Sequence, residues 1–130
     1  MSSATDTARA IYDAYVAKDR SAAERLLADD FRFTSPLDNV LDRDSYFAIC
    51  WPNSADIEGF EIVHMVEHGQ QVFVTYEGLG KRTRFRNTEV LTLRDGKIAE
   101  VEVYFGWNVP HKVPAGEHRD PEQGRRRADN

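Results

Sequence analysis

Arg84-Phe85-Arg86-Asn87-Thr88-Glu89-Val90-Leu91-Thr92-Leu93-Arg94 alternates without a break, and its reading decides the fold. One face carries Phe85, Asn87, Glu89, Leu91 and Leu93; the other carries Arg84, Arg86, Thr88, Val90, Thr92 and Arg94. Side chains of a strand alternate sides, so the leucine face turns to the core and takes Glu89 with it. An unpaired carboxylate is costly to bury. A carboxyl group in that position is therefore neutralised, paired, or kept for a purpose.

The next residues, Asp95-Gly96, are a strong turn signal. Beyond them Ala99, Val101, Val103 and Phe105 alternate with Ile98, Glu100, Glu102 and Tyr104. Opposed residues of a hairpin share a face. A two-residue turn would set Leu91 against Glu100, whereas a three-residue loop with a bulged Gly96 sets Leu91 against Ala99 and Glu89 against Val101. The second register keeps apolar residues together and is the one expected. Upstream, Phe60, Ile62, His64 and Val66 alternate with Glu61, Val63, Met65 and Glu67. That pattern predicts a strand with His64 on its apolar side. Val72 to Leu79 reads as another long strand, after a turn at His68-Gly69-Gln70.

The first half of the chain is helical in pattern. Ala8, Ile11, Tyr12, Tyr15 and Val16 fall on one helix face. Ser21 with Glu24 has the capping-box spacing for a second helix ending near Asp29-Asp30. Phe31 to Thr34 reads as a short strand closed by Ser35-Pro36, and Asp42 as the cap of a third helix stopped before Pro52. The pattern is lost from about Pro110, so residues 1–113 are expected to form one domain and 114–130 a polar, flexible tail. The run Arg125-Arg126-Arg127 reads as a solvated end.

At 130 residues, 41% hydrophobic and 30% charged, the chain has the composition of one globular α+β domain. No apolar run approaches the roughly 20 residues needed to span a bilayer, and no secretion signal is evident, so a cytoplasmic location with no membrane partner is expected. A net charge of −5 argues against nucleic acid as a partner. The sole cysteine, Cys50, reads as a packed thiol in a reducing compartment. His64, His68, His111 and His118 lack metal-ligand spacing, and no phosphate loop or dinucleotide fingerprint occurs, so neither metal nor cofactor is expected.

The helix Ala8-Arg9-Ala10-Ile11-Tyr12-Asp13-Ala14-Tyr15, the join Leu26-Leu27-Ala28-Asp29-Asp30-Phe31 and the closing Asp95-Gly96-Lys97-Ile98-Ala99-Glu100-Val101 with Tyr104-Phe105-Gly106 resemble SnoaL-like members of the nuclear-transport-factor-2-like superfamily. The resemblance implies a cone-shaped, curved mixed sheet around three helices, with a ligand pocket in its open end. It also implies a homodimer paired through the outer sheet face, here Thr88, Val90, Thr92, Ile98 and Tyr104. Steroid isomerases of that superfamily use a base before the proline that follows the first strand; the matching residue is Ser35. Their helix tyrosine falls at Ile11, beside Tyr12 and Tyr15, and their neutral strand acid at Glu89. With one role of three retained, steroid isomerisation itself is not implied, and fold alone does not set function.

Glu89 is then either an acid of raised pKa donating to a ligand carbonyl, or a structural carboxylate bonded to Asn87, an arginine or a backbone amide. Asp38 is a candidate base or a turn residue, and His64 a candidate base or a core histidine. Tyr15, Phe33, Trp51, Tyr76, Val103 and Trp107 are the expected walls, with Ser35 and Asn87 as polar contacts. Two functions follow: a cofactor-free acid–base catalyst of isomerisation, cyclisation, dehydration or hydrolysis on a small apolar oxygenated molecule, or a binding or assembly module without turnover. Convergence of Asp38, His64 and Glu89 on one cavity separates them.

Overall fold

The computed structural model describes residues 3–121, and Arg125-Arg126-Arg127 lie outside the described residues. Three helices, α1 (Ala4–Ala17), α2 (Arg20–Leu26) and α3 (Arg43–Ile49), occupy the first half. Six strands form one sheet: β1 (Leu27–Ser35), β2 (Asp38–Leu41), β3 (Ile57–His68), β4 (Gln71–Gly80), β5 (Arg84–Arg94) and β6 (Lys97–Asn108). A 3-10 helix, Trp51–Asp56, joins α3 to β3.

The strand order is β2-β1-β6-β5-β4-β3, antiparallel except where β1 runs parallel to β6. This is an α+β fold with a curved, unclosed sheet around the helices. Its inner face carries Val72, Val74, Leu91 and Val101, which pack with Ala8 and Ile11 of α1, Leu27 and Phe31 of β1, and Tyr46 and Phe47 of α3. Burying such side chains is worth about 1.5–3 kcal/mol each, so the helix–sheet contact stabilises the fold.

The helix starts follow capping chemistry. Ser3 and Asp6 form a capping box on α1, with the Ser3 hydroxyl accepting from the Asp6 amide at 3.0 Å. Asp42 caps α3 as expected, accepting from the Ser45 amide at 2.8 Å. The second helix differs from expectation. Its cap is Asp19, which accepts from the Ala22 amide at 3.1 Å, while Glu24 is held by Arg20. It ends at Leu26, because Leu27 to Ser35 are drawn into the sheet beside β6. Asp38 lies in β2, not in a turn.

Bulges set the curvature and correct two readings. The β5–β6 turn is a two-residue loop closed by Arg94 and Lys97, with left-handed φ at Asp95 (55°) and Gly96 (78°). An extra residue then enters β6, so Leu93 faces Ile98 and Thr92 faces Glu100. Leu91 consequently faces Val101, and Glu89 faces Val103; the expected three-residue register is displaced by two positions while the face is kept. The bulge also buries Ile98 completely, removing it from the outer face. In β3, Ile62 faces Tyr76 but His64 faces Thr75, which makes Val63 the extra residue. That bulge reverses the alternation. His64 and Val66 point outward, and Met65 takes the inner position.

Candidate functional site

The helices fill only part of the curved sheet, leaving a cavity of about 730 Å³. Glu89 lies at its inner end because β5 keeps strict alternation from Phe85 to Leu93. The Tyr12 hydroxyl, on the buried face of α1, donates to Glu89 Oε1 at 3.0 Å. The Tyr76 hydroxyl, from β4, donates to Glu89 Oε2 at 2.6 Å. Asn87 Nδ2 in turn donates to Tyr76 Oη at 3.4 Å. Both carboxyl oxygens are thus engaged by hydroxyls, and no cation lies in this set.

Burial raises the Glu89 pKa above its ordinary 4.5, opposed by the hydrogen bonds from Tyr76 and Tyr12. Burial, reinforced by the nearby Glu89 charge, raises the pKa values of Tyr12 and Tyr76 as well. Both tyrosines therefore remain neutral donors. Phe60 packs edge-on against each ring, with centroids 5.2 Å from Tyr12 and 5.0 Å from Tyr76, which fixes the rings that hold the carboxyl group.

A second polar group lines the same cavity. Ser35 Oγ donates to Asp38 Oδ2 at 2.7 Å, and the Leu37 amide donates back to Ser35 Oγ at 3.0 Å. The β1–β2 hairpin brings these residues together, with Phe33 opposite Leu41 and Ser35 opposite Asp38. Cys50 lies beside them at the end of α3, and its thiol is pushed up to about 11 by burial and by the Asp38 charge. It stays protonated at neutral pH and is a poor nucleophile.

Residues 8–101 match the family model of the SnoaL-like domain. The chain belongs to the SnoaL-like family. No curated protein matches it. Among solved structures, this SnoaL-like domain is similar to an NTF-2 like protein of unknown function from Burkholderia xenovorans LB400, at 19% identity and TM-score 0.72, covering 90% of this chain and 94% of that one. An NTF2-like protein of unknown function from Cytophaga hutchinsonii shares 19% identity at TM-score 0.69, covering 82% and 92%. A protein with a ketosteroid isomerase-like fold from Catenulispora acidiphila, in complex with trimethylamine, shares 18% identity at TM-score 0.63, covering 78% and 85%. These likenesses establish the fold alone.

Within the SnoaL-like cavity the structure brings together Glu89, Asp38, Tyr15, Phe33, Ser35, Tyr76, Asn87, Val103 and Trp107. Two expected residues are absent from its lining. His64 is exposed on the outer face, turned there by the Val63 bulge, and takes no part in the site. Trp51 is buried behind the wall, edge-on to Tyr15 with centroids 5.3 Å apart. Tyr12 is a partner of Glu89 that strand alternation does not indicate. The helix spacing that buries Ile11 equally buries Tyr12, and only the latter carries a hydroxyl for the carboxyl group. His111, Lys112 and Arg119 also line the cavity, from a segment with no periodic pattern to mark them. Among the described residues no His, Cys, Asp or Glu group could hold a metal ion, and no helix is long and apolar enough to cross a membrane.

Proposed function

We propose that this SnoaL-like domain is a cytoplasmic protein that binds a small, mostly apolar, oxygenated molecule, whose polar end meets Glu89 and its two tyrosines. One observation carries the reading: a carboxyl group held by hydroxyls at 3.0 and 2.6 Å at the inner end of a cavity walled largely by aromatic rings. Ligand sites are mostly apolar with a few fixed polar groups, and their usual volumes include this one. When protonated, Glu89 can donate to a carbonyl or hydroxyl oxygen. In its ionised form it can only accept. The free, unpaired Cys50 accords with a reducing compartment.

A panel of bicyclic ketones, phenols and small amines, titrated against wild type and Glu89→Gln, tests this. Glu89→Gln should weaken an oxygenated binder on the order of tenfold while the protein stays folded. The amines are included because the Catenulispora neighbour holds trimethylamine. An amine that outcompetes its neutral isostere would mean an ionised Glu89 and would sink the oxygenated reading.

A second reading, cofactor-free acid–base turnover, is favoured by Asp38. Its carboxyl group and that of Glu89 line one cavity, and Ser35 already orients it. In this reading Glu89 donates to the substrate oxygen while Asp38 removes a proton. Asp38→Asn should then abolish conversion of a bound substrate and leave its affinity nearly unchanged. An equal loss of affinity would return the site to binding alone.

The outer sheet face is the proposed dimer surface. Rows His64–Thr75–Thr88–Tyr104 and Val66–Phe73–Val90–Glu102 run across it, with Val66, Phe73 and Tyr104 exposed. Light scattering at micromolar concentration should give the mass of two chains, and Phe73→Asp should halve it, since a buried unpaired charge opposes association. A wild-type mass of one chain would remove the proposal.

A further inference from the structure

The cavity lining carries cationic side chains as well as Glu89. Glu89 and the tyrosine hydroxyls lie at the inner end, while the segment following β6 contributes His111, Lys112 and Arg119 to the lining. This segment is tethered: the Val109 amide donates to the Arg84 carbonyl at 2.8 Å, and the His111 ring lies 5.8 Å from Trp107. Trp107 also has the Arg86 guanidinium 5.8 Å from its ring centroid, and Glu77 holds that guanidinium at 2.7 Å. The chain of contacts therefore runs from the sheet to His111, next to Lys112.

Their hydrogen-bonding state is equally defined. His111 Nδ1 accepts from the Val113 amide at 2.9 Å, so the neutral ring carries its proton on Nε2 and offers a donor there. Four arginines elsewhere are ion-paired: Arg20 with Glu24, Arg84 with Glu61 and Glu77, Arg86 with Glu77, and Arg94 with Asp30. Among the described residues, neither Lys112 nor Arg119 has such a partner, although Asp38 and Asp56 also line the cavity. Asp38 is occupied by Ser35, and both acids come from the β2 and 3-10 helix side of the chain.

We infer that the ligand is an amphiphilic acid, with an oxygen for Glu89 at one end of an apolar body and a carboxylate at the other, received by Lys112, Arg119 and His111. This rests on the reading of the cavity as a binding site. A carboxylate supplies the acceptors that these groups lack, and charge-assisted hydrogen bonds are roughly twice as strong as neutral ones. The rim is exposed to solvent, so screening moderates the gain.

The test uses a rigid pair, 6-hydroxy-2-naphthoic acid and its methyl ester, titrated by fluorescence and calorimetry. Wild type should bind the acid about tenfold tighter than the ester, and the advantage should shrink with added salt. Lys112→Ala/Arg119→Ala should bring the acid down to the ester's affinity. Arg25→Ala/Lys97→Ala, which removes two exposed cations outside the cavity, should retain the preference and so excludes a mere net-charge effect. Equal wild-type affinities, or a preference that survives Lys112→Ala/Arg119→Ala, would overturn the acid while an ester sensitive to Glu89→Gln keeps the binding site. If neither compound binds, or binding ignores Glu89→Gln, the site reading and the inference fall together.

Discussion

The melting temperature of Glu89→Gln, measured relative to wild type, should climb as the pH rises above the ordinary 4.5. Burial places the folded-state pKa of Glu89 above the ordinary 4.5. Between those two values the folded chain holds a proton that the unfolded chain has released. Raising the pH therefore favours unfolding: this contribution is fully present below 4.5 and is lost as the pH passes through the folded value. Each tenfold change in proton affinity is worth about 1.4 kcal/mol. Glutamine carries no such proton, so its variant lacks this slope and gains on wild type across the window. A fixed offset is expected beneath the trend, because glutamine can accept from Tyr12 but cannot accept from Tyr76 with the nitrogen that replaces Oε2. The offset does not change with pH, whereas the trend does. A flat difference, or one falling with pH, would show that the tyrosine hydroxyls outweigh desolvation and keep Glu89 an ordinary carboxylate.

The same residue shows why some of the site is legible in the sequence. Alternation in β5 is unbroken from Phe85 to Leu93, so Glu89 could be assigned to the inner face from period two alone. In β3 the same logic fails at one residue: Val63 is inserted, and His64 changes sides. A bulge costs the chain no apolar residue, so the local pattern gives no warning of it. The turn at Asp95-Gly96 is likewise evident, while the extra residue that restores the register enters β6 only after Ile98, where apolar residues stand on both sides of the insertion. Asp19 takes the place of Ser21 as the cap, which starts α2 two residues earlier than the Ser21–Glu24 spacing implies. The partners of Glu89 are two more such cases. Tyr12 and Tyr76 lie on inward faces that the sequence reveals, but their meeting across 77 and 13 residues of separation depends on how α1 crosses the sheet. Lys112 and Arg119 follow no periodicity, and only the fold places them at the cavity.

Gly106→Ala should be the most damaging small substitution in the sheet. A β-carbon at Gly106 would lie 2.3 Å from the Arg86 carbonyl oxygen and 3.1 Å from its carbon. These are backbone atoms, so the clash cannot be relieved by turning a side chain. Gly106 occupies the second β5–β6 bulge, where Phe85 faces Asn108 and Asn87 faces Phe105, leaving one residue of β5 against two of β6. Its amide also donates to Asn87 Oδ1 at 3.3 Å. To admit a methyl group, β6 must move away from β5 here, breaking that contact and shifting Trp107 at the cavity. Overpacking of this kind costs about 3 kcal/mol, or roughly 10 °C in melting temperature for a domain of this size. Gly78→Ala is the informative contrast. The three atoms nearest its β-carbon would all belong to the ring of Phe85, the closest at 2.4 Å, and a ring can rotate or withdraw into the cavity. A smaller loss is expected there, together with a reduced cavity. Thermal unfolding of both variants, with Trp107 fluorescence followed in a Trp51→Phe background, checks the pair. Should Gly106→Ala melt with wild type and leave the Trp107 signal unchanged, the close approach of β6 to Arg86 is wrong, and the path that carries the cationic segment to the cavity must be redrawn.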